Sequence, residues 1–199
     1  MTSYSKTFVD ETVEILGRIP PEEIDAVVQL ILETRERGGR VFFCGSGGGA
    51  GHSSHAACDF RKLGRIEAYS VTDNVSELTA RVNDDGWEDS YADWLRASRL
   101  GAKDCLFVFS VGGGDVERNI SVNLVNAMKL AREVGASITG IVGRDGGTLK
   151  EWADACIHIP VANPATVTAQ TEGMQALFWH LIVTHPKLSP ATPKWESSV

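Results

Sequence analysis

His55 and Asp59 stand four residues apart in the run Gly51-HSSHAACD-Phe60. On a helix that spacing puts both side chains on one face, about 6 Å apart along the axis. A histidine and a carboxylate so placed can reach one divalent cation or work as a proton-transfer pair. The same spacing also suits a solvated, locally hydrogen-bonded pair. His52 lies one turn earlier. Toward the C-terminus, Glu172 and His180 are eight residues apart, which is about 80° around a helix and about 12 Å along it. One straight helix therefore hardly brings both to one ion. Either the helix starts inside that interval, or the two residues serve different sites, one of them contributed across a subunit interface. His180 sits within Leu177-FWHLI-Val183, so a satisfied core histidine and a functional one are both open readings.

Two glycine-rich turns accompany these residues, Cys44-GSGGGA-Gly51 and Ser110-VGGG-Asp115. Each follows a short apolar run. In an open α/β sheet, ligands bind beyond the carboxyl ends of the strands, where helix N-termini converge. Glycine there lets backbone N–H groups approach an anion, and the helix dipole favours negative charge. Gly45, Gly47 and Gly48 partly match a dinucleotide fingerprint. However, the acid expected at the end of the second strand is missing, because Ile66-EAYSV-Thr72 carries Glu67 only at its beginning. A dinucleotide site is excluded on that ground.

The elements that must position these residues alternate. Phe8, Val9, Val13 and Leu16, then Ile24, Val27, Val28, Leu30 and Ile31, follow a helical period. Pro20-Pro21 separates the two helices. Strands are expected at 40–45, 66–72, 104–110, 137–142 and 155–160. Helices are expected at about 51–63, 76–83, 88–98, 120–135, 148–153 and 168–183. This pattern predicts an α/β three-layer sandwich with a central five-stranded parallel sheet, doubly wound in the flavodoxin manner, after two N-terminal helices. A single domain spans 1–199, with 1–38 packing in an oligomer and 186–199 a tail that is irregular or strapped across a neighbour.

Composition narrows the function classes. The 199 residues carry a formal net charge of -7, which argues against non-specific nucleic-acid binding. The densest basic cluster is Arg61, Lys62 and Arg65, with Arg81 further on. Four separated cysteines make no metal ladder or disulfide framework. The N-terminus lacks a signal-peptide pattern and no apolar run reaches about 18 residues. A cytoplasmic protein without a membrane partner is expected.

Cys44-GSG-Gly48, Ser54-HAAC-Asp59, Asn83-Asp84-x-Gly86, Gly143-RDG-Gly147 and the Glu172…His180 spacing together resemble the sugar isomerase (SIS) domain family. The resemblance is to its sedoheptulose 7-phosphate isomerase branch and runs to about His185. It implies that the two glycine loops hold a phosphosugar through Ser46, Gly47, Gly48, Ser110, Gly112, Asn119 and Ser121, with Asn83 and Asp84 lining the sugar pocket. By the same resemblance His55, Asp59, Glu172 and His180 are ligands of a divalent metal, zinc in family members. Asp59 and His180 are then the acid/base pair of an aldose–ketose isomerisation. A homotetramer with active sites between subunits is also implied.

The departures from the family are specific. Asp59 stands where the family has Glu, which sets its carboxylate about 1.5 Å further back. Glu172 stands in place of Gln, adding a carboxylate that favours a cation. Ser46 replaces Asn. The second loop is longer, has lost hydroxyls and carries Asp115 and Glu117, which repel phosphate, with Arg118, Asn119 and Ser121 as compensation. The leading expectation is a phosphosugar isomerase acting on sedoheptulose 7-phosphate. The alternatives are a non-catalytic phosphosugar-binding SIS module, of sensor or replication-scaffold type, and an isomerase for a different sugar.

Overall fold

A computed structural model describes residues 3–189 and 194. Five strands form one all-parallel sheet in the order β2-β1-β3-β4-β5. They are β1 (Val41–Gly45), β2 (Ala68–Ser70), β3 (Cys105–Ser110), β4 (Ser137–Val142) and β5 (Ala155–His158). The helices are α1 (Tyr4–Arg18), α2 (Pro21–Glu36), α3 (Gly48–Lys62), α4 (Val75–Asp84), α5 (Ser90–Ala97), α6 (Val122–Val134), α7 (Gly147–Trp152) and α8 (Val167–Thr184). The expected architecture is the observed one.

Successive side chains of the central strands point to opposite faces, and each face builds its own core. Phe43, Phe107 and Phe109 meet Phe60 of α3, Ile31 of α2 and Trp179 of α8 on one side. Phe42, Leu106 and Val108 meet Leu95 of α5 and Leu124 and Met128 of α6 on the other. The β1 and β3 side chains are almost wholly excluded from solvent, as a strand covered on both faces requires.

The connections from β1 and β3 leave in opposite directions, so the crevice between these neighbours is the switch point of the sheet. α2 begins with Pro21 in its first turn and packs through Val27, Val28 and Ile31 on the sheet itself. It needs no partner to bury its apolar side. α1 differs: it buries Ile15 but leaves Val9 59% and Val13 65% exposed.

Arg35 donates to the carbonyls of Leu188 and Lys187 at 2.7 and 3.0 Å. The start of the tail is thus tied to α2 of its own chain. The remainder expected to be irregular, 190–193 and 195–199, lies outside the described residues. Among the described residues no helix is long and apolar enough to cross a membrane.

Candidate active site

The first glycine turn is tighter than its sequence suggests. α3 begins at Gly48, not near Gly51, with Gly47 at φ +58° as its cap. A left-handed φ there suits glycine alone among common choices. A Cβ on Gly45 would lie 2.5 Å from the carbonyl carbon of Gly49, and one on Gly49 would lie 2.8 Å from the Phe109 oxygen. The helix N-terminus therefore presses against both central strands. Tyr91 donates to the Gly45 carbonyl at 2.8 Å, and Asn123 of α6 donates to Ser46 Oγ at 3.2 Å. Burial pushes the Tyr91 phenol up to about 12. Neither Tyr91 nor Asn123 is marked by the sequence, beyond being polar groups within helices of apolar character.

α3 and α8 run side by side in the same direction. At their start the Glu172 carboxylate lies over Gly48, where a Cβ would meet its Oε2 at 2.5 Å. This is the positive end of α3, a favourable place for a carboxylate. Two turns on, His55, Asp59 and His180 converge, with ligand atoms of all three within 4.8 Å of one another. His55 Nε2 stands 3.8 Å from Asp59 Oδ2. His52 lies between the two levels. Burial lowers its pKa, an effect that the negative charge of Glu172 partly offsets, and its Nε2 is buried without a partner.

α8 is unbroken through Glu172 and His180, so a helix start inside that interval is ruled out. The axial rise keeps Glu172 out of the His55–Asp59–His180 cluster. His180 is exposed, while Phe178, Trp179, Ile182 and Val183 are the buried residues of that run. A core histidine is thus the wrong reading. His180 Nδ1 is 2.7 Å from the Ala176 carbonyl, which can only accept, so the proton sits on Nδ1 and the Nε2 lone pair is left to face the cluster. Two imidazoles and a carboxylate form a donor set suited to zinc or a similar divalent cation, with a backbone carbonyl fixing one tautomer.

The second glycine turn closes on itself. Asp115 and Ile120 pair as an antiparallel bridge, and Asp115 holds Arg118 through its backbone N–H at 2.8 Å and its Nε at 3.2 Å. Asn119 and Ser121 take left-handed φ values of 55° and 52° in the return. α6 therefore starts at Val122 rather than Ile120. Ser110 Oγ accepts from the Gly113 N–H at 2.9 Å. Gly112 and Ser121 line a cleft of about 600 Å³, together with Arg144, Asp145 and Thr168.

Asn83 and Asp84 do not line that cleft: they bond to each other at 2.7 Å on the exposed end of α4. The basic residues near α3 are also engaged elsewhere. Arg61 donates to the Ala68 carbonyl and lies over Tyr69, and Arg81 pairs with Glu77.

Residues 7–143 match the SIS domain family. The chain belongs to that family. Among curated relatives, this SIS domain is 32% identical over 194 residues to the lincomycin biosynthesis protein LmbN of Streptomyces lincolnensis, covering 92% of this chain and 69% of that protein. It is 34% identical over 150 residues to a phosphoheptose isomerase of Roseiflexus sp., covering 72% of each. Among solved structures, the SIS domain superposes on phosphoheptose isomerase GmhA from Neisseria gonorrhoeae with a TM-score of 0.78 and 25% identity, over 90% of this chain and 94% of that one.

Proposed function

We propose that this SIS protein interconverts a ketose and an aldose phosphate, with sedoheptulose 7-phosphate the substrate and a heptose 7-phosphate the product. The observation that carries the reading is the convergence of Asp59 with His180 and His55 where α3 lies against α8, two to three turns along α3 from the first glycine turn. The phosphoheptose isomerases among its relatives support it.

Asp59 takes the proton from the carbon beside the carbonyl, leaving an enediolate. His180, held by Ala176 at Nδ1, serves as the acid when Nε2 also carries a proton: this imidazolium gives that proton to the adjacent carbon, and solvent restores it after turnover. With Nε2 of His180 unprotonated, His55, Asp59 and His180 would instead hold a divalent cation, while Glu172 stands one level along the same groove over Gly48, outside that ligand set. Bound there, zinc would polarise the carbonyl and hydroxyl oxygens of the sugar. The α3 N-terminus with Ser46, Gly47 and Gly48, and the second turn with Ser110, Gly112, Asn119 and Ser121, bind the phosphosugar by backbone and hydroxyl donors.

The apolar face of α1 and the exposed Leu177 and Leu181 of α8 support a homo-oligomer, a tetramer with His180 near a subunit boundary. A cytoplasmic setting agrees with four free cysteines.

A second reading keeps the chemistry and changes the sugar. The longer second turn, and a relative named for lincomycin biosynthesis, favour it. One experiment addresses both. Metal-loaded protein is incubated in deuterated water with a panel of ketose phosphates. Deuterium at the carbon beside the carbonyl supports the isomerase and names the substrate. Its absence with every sugar rejects catalysis in favour of a binding module.

A further inference from the structure

The cleft of about 600 Å³ beyond β3 and β4 contains more charge than the proposed chemistry uses. Two guanidinium groups line it, Arg118 and Arg144, with two carboxylates, Asp115 and Asp145. Asp115 engages Arg118 twice, through backbone and side chain. That pairing neutralises the acid which the sequence set against phosphate, and it also uses up the nearest cation. Among the described residues Arg144 and Asp145 make no ion pair. The Arg144 side chain passes over Gly112, its Cδ 3.7 Å from where a Cβ there would stand.

This wall is built rather than incidental. Thr148 and Leu149 donate their backbone N–H groups to the Gly114 and Gly113 carbonyls, each at 3.0 Å, locking the β4–α7 loop onto the second glycine turn. His158 Nε2 lies 2.8 Å from the Arg144 carbonyl and holds the loop from below. Arg144 itself sits at φ +49°, a backbone conformation that costs a non-glycine residue energy and persists only where the surroundings fix it. On the far side of the cleft, Thr168 of α8 is one turn before Glu172, so the cleft opens toward the Gly48 end of the groove.

We infer that Arg144 is the cation that binds the phosphate of the substrate, taking over the role of the hydroxyls that the second turn lacks. This rests on the reading of the protein as one that takes phosphosugars, but not on turnover. An arginine offers a planar fork that matches phosphate oxygens in pairs. The α6 N-terminus with Ser121 is the second donor on the same anion, and Asp145 is left to accept from sugar hydroxyls.

The test is calorimetric titration of the full chain with inorganic phosphate. Arg144→Met and Arg144→Gly are compared with Arg144→Lys, Arg118→Met and the unaltered protein. Glycine relieves the left-handed backbone, so Arg144→Gly removes the charge without threatening the fold. Both truncations should weaken phosphate about 10- to 100-fold, the range of a lost charge-assisted hydrogen bond. Arg144→Lys should retain most of the affinity, and Arg118→Met should stay within about threefold, because Arg118 is spent on Asp115. In turnover, the truncations should raise KM with kcat little changed. Unaltered phosphate affinity in both truncations overturns the inference, as does an equal loss in Arg118→Met or a parent protein that binds no phosphate. If the parent binds phosphate through Arg144 yet isomerises no sugar, the isomerase reading fails and the assignment of Arg144 stands.

Discussion

The imidazole rings of His55 and His180 meet edge to face, with centroids 5.4 Å apart and planes at 89°. α3 and α8 bring them together, and the Asp59 carboxylate completes the cluster. Each helix is fixed in the core, α3 through Phe60 and α8 through Trp179, whose indole also packs against both imidazoles. The pair is therefore held by packing rather than by mutual attraction.

Asp59→Asn and His180→Gln should each lower kcat by about 10²- to 10⁴-fold, the usual contribution of a positioned acid or base. Both residues face solvent or sit at the edge of the core, so circular dichroism and melting should match the parent. Elemental analysis should also show less bound zinc in His180→Gln. Full activity in either variant removes Asp59 and His180 from the proton transfer.

The glycines of the first turn should divide into two classes. In Gly48→Ala the new methyl meets the mobile end of Glu172, so stability should fall by less than about 1 kcal/mol while the carboxylate is displaced and activity drops. In Gly45→Ala it meets the backbone of Gly49, and about 2–3 kcal/mol of stability should be lost, as in other overpacked cores. Urea unfolding of the two variants distinguishes them. Equal costs would mean that α3 can shift away from β1.

Asp104 ties β3 to the start of β1. Burial pushes its carboxyl up, but the Arg40 guanidinium and the N–H groups of Arg40 and Gly101 outweigh that and hold it below the usual range. A depressed carboxylate stabilises the fold above its unfolded pKa of about 3.9, and that contribution is lost as pH falls through the folded value. Asp104→Asn should therefore cost about 2 kcal/mol at pH 7, less than a fully buried pair because Arg40 is partly exposed. The difference from the parent should shrink below about pH 4. A gap independent of pH would assign the loss to packing alone.

Light scattering of the intact protein should give the mass of a tetramer. Val13→Glu places a charge on the apolar face of α1, where the parent residue is 65% exposed in the single chain. It should shift the mass toward smaller species at micromolar concentration with little change in secondary structure. An unchanged mass would take α1 out of the interface.

Much of this was legible in the residues. The run Cys105–Ser110, apolar and ended by glycines, could only be a buried strand, and the four-residue step from His55 to Asp59 gave their shared face. The start of α3 was not legible, because consecutive glycines carry poor helix propensity and only the close fit against Gly45 and Phe109 makes them helical. The partnership of α3 with α8 was hidden for another reason. It depends on where α8 docks on the sheet, which no local period encodes. The sequence set Asp115 against phosphate and held Arg118 ready for it, yet in the fold the two cancel. Pairing inside a loop has no spacing rule to reveal it.

The bridge between Asp115 and Ile120 has one more consequence. The hairpin it closes takes its hydrogen bonds largely from within itself, whereas a Cβ on the preceding Gly113 would fall 1.9 Å from the Gly146 carbonyl oxygen. Lengthening such a loop costs little, because closure entropy grows only slowly with length. The rigid turn preserves the reaction, and the hairpin can be exchanged around it. A graft of hairpins from relatives with other substrates, between Gly114 and Ser121, is the route by which this scaffold can be retuned to new sugars without rebuilding its chemistry.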